Sequence, residues 1–402
     1  VRQPRVVVIA TTAGYDGVPH AGGTYMLALS DAMAPLVDLT VIVPGNRVNR
    51  EAAKRPGAPD RIIPLGLEPA SSLVGRATNR LSLNLDTRWR VRDPGLPYLP
   101  LLVGLARSSQ ARRAVREADV IDLQWSDSIR LVHLLRRINP RARIVGTFHD
   151  VMSQSFEREP QHSEAERRYW QGVARRSRRH ERRMVRALDE VLVFSTKDAE
   201  LLGSPTHARV VRPPLARGAL RQHVPAEPQS GTVLLVSYLA RDENNVAALW
   251  VLREVWPQVS ARLPQARLRL VGGGASDELE RAVADQDSVE LAGFVEDLEG
   301  EYEAAAACLV PVLQGAGVKF KTIEALLHGV PTVTTSVGAE GVGPADLFTA
   351  LTDRPDELAR ALVDILTDPA AAQEAADRAQ GWAHAEFSRQ RFIDEVMASW
   401  SG

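Results

Sequence analysis

Cysteine is almost absent from this chain: among 402 residues there is one, Cys308. A single thiol excludes an internal disulfide framework and fits a reducing compartment, so a cytoplasmic location is expected. The residue falls in an apolar stretch, where a packed core thiol is expected rather than a nucleophile. Lysine is nearly as scarce. Lys54, Lys197, Lys319 and Lys321 are the whole set against 49 basic residues, so arginine carries almost all the positive charge. Long apolar runs are missing too. The longest, residues 96–106, is broken by Pro97 and Pro100, which excludes a membrane-spanning helix. The opening VRQPRVVVIA shows no leader-peptide pattern and enters a strand almost at once, so no secretion signal is expected. An excess of charge of one sign is also lacking. The 49 basic and 50 acidic residues give a net charge of −1, and nothing points to a nucleic-acid partner.

What is present is ordinary globular composition, 45% hydrophobic and 25% charged, at a length expected for two or three domains. The most informative stretch is 308–341, CLVPVLQGAGVKFKTIEALLHGVPTVTTSVGAEG. It reads as strand (Leu309 to Val312), glycine loop, helix with apolar Ile323, Leu326 and Leu327, a stop at Gly329, and a second strand from Thr332. That is a βαβ crossover. The glycines Gly315 and Gly317 let a ligand approach the backbone, and the first-turn N–H groups of the helix have no partner within it. Lys319 and Lys321 add positive charge there, and Glu324 lies one turn after Lys321 on the same face. Phosphate donors beside one carboxylate suit a nucleotide, with its phosphates on the N–H groups and its ribose diol on Glu324. A surface helix start with solvated lysines is the plainer alternative.

The rest of the chain repeats the pattern. Val6 to Ala10 is a continuous apolar strand, as parallel sheets require. A loop containing Gly22 and Gly23 follows, then a helical pattern from Thr24 and a strand at 39–43. Residues 44–100, rich in proline, glycine and arginine, read as a variable excursion at the ligand-facing edge of the sheet. A helix is expected over 103–117, a strand at 120–123, a helix over 127–138 and a strand at 144–148. The last ends in His149-Asp150, where parallel sheets bind ligands. An arginine-dense helix covers 164–188. A solvated face is its simpler reading, and docking to an anionic acceptor or a membrane surface is the other. After a strand at 191–194 and Val210-Val211, the proline-rich segment 215–230 reads as a linker. The alternation then restarts with strands at 232–236, 268–271 and 288–291, the central βαβ unit, a short strand near 347–348, and helices over 355–367 and 369–386. The triple glycine 272–274 lacks the third fingerprint glycine and reads as a turn. The expected fold is α/β: two Rossmann-like doubly wound domains facing a cleft.

With these elements in place, the chain resembles the GT-B glycosyltransferases, and within them the group 1 (family 4) retaining enzymes. The resemblance rests on HAGGTYMLALSDAMA, the Phe148-His149-Asp150 triplet, the restart LLVSYLARDENNVAALWVLREVWP, Gly293-Phe294-Val295, and above all GAGVKFKTIEALLHGVPTVTTSVGAEG. It implies an acceptor-binding domain over 1–214, a linker over 215–230, a nucleotide-sugar-binding domain over 231–387, and a C-terminal helix over 388–402 crossing back to the first domain. It also implies that Glu324 takes the ribose hydroxyls and that Gly293, Phe294 and Val295 flank the base. The loop Gly315, Ala316, Gly317, Val318, Lys319 to Lys321 and the Gly22-Gly23 loop would then close on the diphosphate, with Ser237, Arg241 and Asn245 in the donor site. His149 would face the transferring sugar, and catalysis would rest on His149, Lys319 and Lys321. The chain departs from the family pattern at Ala316, where a glutamate is usual, and after the restarting strand, where Tyr238 and Glu243 stand near the positions of a usual arginine and lysine. Lys319 and Lys321 are expected to supply that phosphate charge instead, with Arg241 as a helper.

The implied reaction is sugar transfer from a nucleotide-diphosphate sugar to an acceptor hydroxyl with retained anomeric configuration. No cofactor is implied beyond the nucleotide-sugar co-substrate. No metal is expected, because no ligand cluster stands at a plausible strand end. The acceptor could be a small molecule, an oligosaccharide or a lipid-linked sugar, and peripheral contact with the inner face of a membrane stays open. A sugar-nucleotide epimerase of the same fold and a non-catalytic nucleotide-sugar-binding protein are the alternatives. A dinucleotide oxidoreductase is disfavoured, because neither half carries the full glycine fingerprint.

Overall fold

The computed structural model of the protein describes residues 2–18, 20–65, 98–159, 163–216, 223 and 231–402. It divides into two units, Val1–Pro214 with Arg389–Gly402, and Leu215–Ser388.

Among the described residues the first unit holds seven strands: β1 (Arg5–Ile9), β2 (Asp38–Pro44), β3 (Ile62–Leu65), β4 (Val120–Gln124), β5 (Arg143–Phe148), β6 (Glu190–Val193) and β7 (Ala208–Val210). Their order is β3-β2-β1-β4-β5-β6-β7, and all neighbours are parallel. Side chains alternate across a strand, so both faces of the sheet need cover. Val7, Ile9, Ile42, Ile121, Leu123, Ile144 and Phe148 build the core on one face. On the other, β4 turns Asp122 and Gln124 inward, and both are buried. The C-terminal helix Arg389–Ser401 belongs to this unit. Arg143 Nε donates to Ser399 O (2.6 Å), and Trp400 Nε1 donates to Asp122 Oδ2 (3.2 Å).

The second unit, among the described residues, holds six strands: β8 (Thr232–Val236), β9 (Arg267–Val271), β10 (Val289–Gly293), β11 (Ala305–Val310), β12 (Thr332–Thr334) and β13 (Ala350–Leu351). They run β10-β9-β8-β11-β12-β13, again all parallel. Val233 and Leu235 pack into one core layer, Leu234 into the opposite one. Each such fully buried aliphatic side chain contributes roughly 1.5–3 kcal/mol. The unit begins with Leu215, buried beside Phe387 and Leu326.

Several expected boundaries move for local reasons. The pattern over 103–117 is two helices, Leu99–Arg107 and Ser109–Glu117, because Ser108 is extended and its Oγ accepts from Ala111 N (3.1 Å), a side-chain N-cap. The pattern over 127–138 likewise divides into Trp125–Ile129 and Val132–Ile138. The helix expected from Thr24 starts at Ala21, where His20 Nδ1 accepts from Gly23 N. β11 begins earlier than its β-branched part, since the alanines 305–307 belong to it, and the last strand is 350–351 rather than 347–348. The excursion expected at 44–100 contains β3 and the helix Arg47–Ala52; its residues 66–97 lie outside the described residues. So do 160–162 and most of the proline-rich segment, 217–222 and 224–230.

Candidate functional site

In the second unit, β8 and β11 are neighbours whose onward connections run to opposite sides of the sheet. This is a topological switch point, the place where doubly wound sheets bind ligands at their strand ends. Ser237 leaves β8 there, and residues 311–319 leave β11 there and enter the helix Phe320–Leu327. Lys321 bridges the two. Its Nζ donates to Ser237 Oγ (2.9 Å) and Asn244 Oδ1 (3.1 Å). Burial, then the neighbouring charge of Lys319, lowers the amine to a pKa of about 8. Lys319 folds back instead: its Nζ donates to Ala316 O (2.9 Å) and Gly317 O (2.6 Å). The two lysines therefore differ in kind, one spanning the switch point and one bracing its own loop.

That loop needs its glycines. Gly315 and Gly317 have φ of 110° and 71°, a region that L side chains avoid. A Cβ on Gly315 would meet nothing within 4 Å, so the backbone is open on that side. Ala316 stands between the two glycines and Val318 just after them, both half-buried. Lys319 is the N-cap residue of the helix and offers no side-chain cap. Glu324, half-buried, follows Lys321 by one turn.

At the end of β10, Gly293 has φ 71° and its carbonyl accepts from Gly272 N (2.7 Å). Phe294 is 66% exposed, an apolar face at a strand end, and Val295 is half-buried against the core. Gly272 is constrained from the other side, since a Cβ there would lie 1.7 Å from Ser237 O. The sites expected after β8 separate by role. Arg241 is exposed and ion-paired to Glu243 at 3.6 Å. Asn245 is buried; its amide donates to Leu239 O and accepts from Ser276 N (2.9 Å), so it holds two loops together. Asn244, which the sequence reasoning passed over, receives Lys321 and donates to Tyr238 O (2.7 Å).

In the first unit, His149 sits just past β5. Its ring stacks on Trp125 (centroids 3.9 Å) and meets Tyr25 and Phe194 edge-on (4.7 Å each). Burial lowers its pKa well below the usual imidazole value, so the ring is neutral. His149 Nε2 lies 2.8 Å from Gln124 Oε1. Gly22 and Gly23 open the helix Ala21–Met33 nearby, and a Cβ on Gly22 would come 3.0 Å from Trp125 Cζ2. The structure thus brings His149 and Gly22 onto one indole. Trp125, Gln124, Asp122 and Tyr25 were not anticipated. A signal for two of them existed: VIDLQ is a central strand that turns two polar residues to a face that must be buried.

Two all-parallel sheets of Rossmann order in one chain define the GT-B class, and solved structures agree. HepE from Anabaena, solved in complex with UDP and glucose, superposes with a TM-score of 0.67 at 15% identity over 98% of this chain and 99% of that one. Sucrose-phosphate synthase from Thermosynechococcus elongatus gives 0.67 at 18% identity over 100% and 98%. A glycosyltransferase from Rickettsia africae gives 0.59 at 12% over 100% and 98%. Residues 231–368 match the family Glycosyl transferases group 1, and the second unit is a group 1 glycosyltransferase domain. A Klebsiella pneumoniae protein, described as an uncharacterized 44.6 kDa protein in cps region, is 33% identical over 118 residues. That stretch is 28% of this chain and 30% of the relative's length. Among the described residues, no helix is long and apolar enough to cross a membrane.

Proposed function

We propose that the protein is a retaining glycosyltransferase that takes its sugar from a UDP-sugar bound by the second unit and passes it to an acceptor hydroxyl. The observation that carries this is Lys321, a cationic amine anchored on Ser237 and Asn244 at the switch point, beside a helix N-terminus whose N-cap residue gives no side-chain cap. A leaving diphosphate develops negative charge as the sugar becomes oxocarbenium-like, and preorganised donors at that spot stabilise it. Glu324, one turn along, takes the ribose hydroxyls, and Phe294 offers its exposed face to the base. His149, in the first unit, is the candidate for contact with a substrate hydroxyl. UDP is favoured among nucleotides because HepE, a fold relative, binds UDP-glucose.

Retention follows if the acceptor enters on the face the diphosphate leaves, with a phosphate oxygen taking the acceptor proton. A small-molecule, oligosaccharide or lipid-linked acceptor fits this chemistry. A second reading is non-catalytic binding of the nucleotide sugar, favoured by Ala316 in place of the usual glutamate. Thermal-shift screening with UDP, GDP, dTDP and ADP sugars tests the donor, since a ligand that binds only the native state raises Tm. UDP-glucose is expected to give the shift, and acceptor-dependent release of UDP separates transfer from binding alone. No shift with any of the four would remove the reading.

A further inference from the structure

Gln124 and Thr147 are register partners on the adjacent parallel strands β4 and β5, and Asp122 precedes Gln124 by two residues. All three therefore project to one face, and all three are buried. Gln124 Nε2 donates to Asp122 Oδ1 (2.9 Å) and to Thr147 Oγ1 (3.1 Å). Thr147 Oγ1 donates to the same Asp122 oxygen (3.2 Å), and Trp400 Nε1 donates to the other (3.2 Å). Above about pH 7, where Asp122 is a carboxylate, it accepts from all three donors, so the amide nitrogen of Gln124 faces Asp122 and its oxygen faces His149. The oxygen cannot donate. His149 Nε2, 2.8 Å away, therefore carries the ring proton, and neutrality leaves Nδ1 bare. Nδ1 has no hydrogen-bond partner among the described residues.

We infer that Gln124, held by Asp122, Thr147 and Trp400, is a positioning residue that fixes His149 as the Nε2–H tautomer and leaves Nδ1 to accept a hydrogen bond from a substrate hydroxyl. The use of Nδ1 on substrate rests on the sugar-transfer reading above; the tautomer does not. A bare lone pair welcomes a hydroxyl and repels an oxyanion, so the group His149 meets is a neutral hydroxyl and not a phosphate or carboxylate. The C-terminal helix contributes through Trp400, which supplies one of the three donors that orient the carboxylate.

The test is long-range proton–nitrogen NMR of the His149 ring in the unliganded protein, followed by the same spectrum and kinetics for Gln124→Met and Trp400→Phe. The wild type is expected to show a protonated Nε2 and an unprotonated Nδ1. Gln124→Met removes the acceptor at similar volume. It is expected to mix the tautomers and to lower kcat roughly tenfold, the rate equivalent of one neutral hydrogen bond, with the Kd for UDP unchanged. Trp400→Phe is expected to shift the same signals less. A protonated Nδ1 in the wild type, or a tautomer indifferent to Gln124→Met, overturns the inference, and the first result needs no variant to fold. A tautomer that mixes as expected while transfer stays normal upholds the positioning and instead removes His149 from the reaction.

Discussion

Trp125 lies flat on His149, with planes 18° from parallel and centroids 3.9 Å apart, and its backbone sits at φ 66°. Left-handed backbone costs an L-residue roughly 1–2 kcal/mol, so the stack is held against local strain. The bend comes directly after β4, where an extended chain would carry the indole on along the strand direction. The turn delivers it to the imidazole.

Trp125→Gly removes the ring and the strain together. Water then reaches His149, and its pKa, now held low by burial, is expected to rise towards the usual imidazole value. An NMR titration of His149 measures this directly. An unmoved midpoint would show that Tyr25 and Phe194, not the indole, keep the ring dry.

Lys321→Met should weaken donor binding or transition-state stabilisation by about 1.5–3 kcal/mol, the range for a lost charged hydrogen bond. Tm should hold or rise, because a largely desolvated amine has been removed. Unchanged kcat/KM in this variant would take Lys321 out of the mechanism.

The lowered pKa of Lys321, about 8 against an ordinary 10.5, also gives a pH dependence. The amine is charged below about 8 and neutral above, so affinity for UDP should fall as pH rises through that value. A bound diphosphate favours the charged form. Calorimetry slightly above pH 8, in two buffers of different ionisation enthalpy, should therefore register proton uptake on binding. Between about 8 and 10.5 the native state binds fewer protons than the unfolded chain, so this group adds stability as pH rises across that window.

Asp122 behaves oppositely. Burial pushes it up to about 7 from 3.8, against the lowering effect of Trp400, Thr147 and Gln124. Between those values the native state binds more protons than the unfolded chain, so its contribution to stability declines as pH rises from about 4 to 7. Asp122→Asn should flatten that part of the profile. Denaturant melts of both proteins at either end of the window give the difference, in which the other carboxylates cancel.

Gly272→Ala would press a methyl against Ser237 O. The strand end has to shift, at about 1–3 kcal/mol for such overpacking. Because Ser237 holds the Lys321 amine, UDP affinity should fall along with Tm. A lower Tm with undiminished affinity would mean that the amine keeps its position without Ser237.

Much of the fold was legible because parallel sheets write themselves as continuous apolar runs. Val6 to Ala10 and Thr232 to Val236 need no context to be seen as strands. The helices 355–367 and 369–386 announce their starts with Pro355 and Pro369, each in the first turn. Legibility fails where composition and geometry part. The alanines 305–307 favour a helix by propensity and lie in β11 because Ala305 and Ala307 pair with β8. β3, four residues long and interrupted by Pro64, carries too little pattern to stand out from its surroundings.

The sequence by itself determined the two sheets, the glycine loop that leads into the helix at 320, and the presence there of two lysines and a glutamate, because strand runs, glycines and helix stops act over a few residues. Tertiary structure alone decided which lysine crosses between strand ends and which turns back on its own loop, and that Asp122, Gln124, Thr147, His149 and Trp400 form one hydrogen-bonded line. Those partners are separated by as many as 278 positions along the chain. Hydrogen bonds form within about 3 Å, and only a packed sheet brings such distant residues that close.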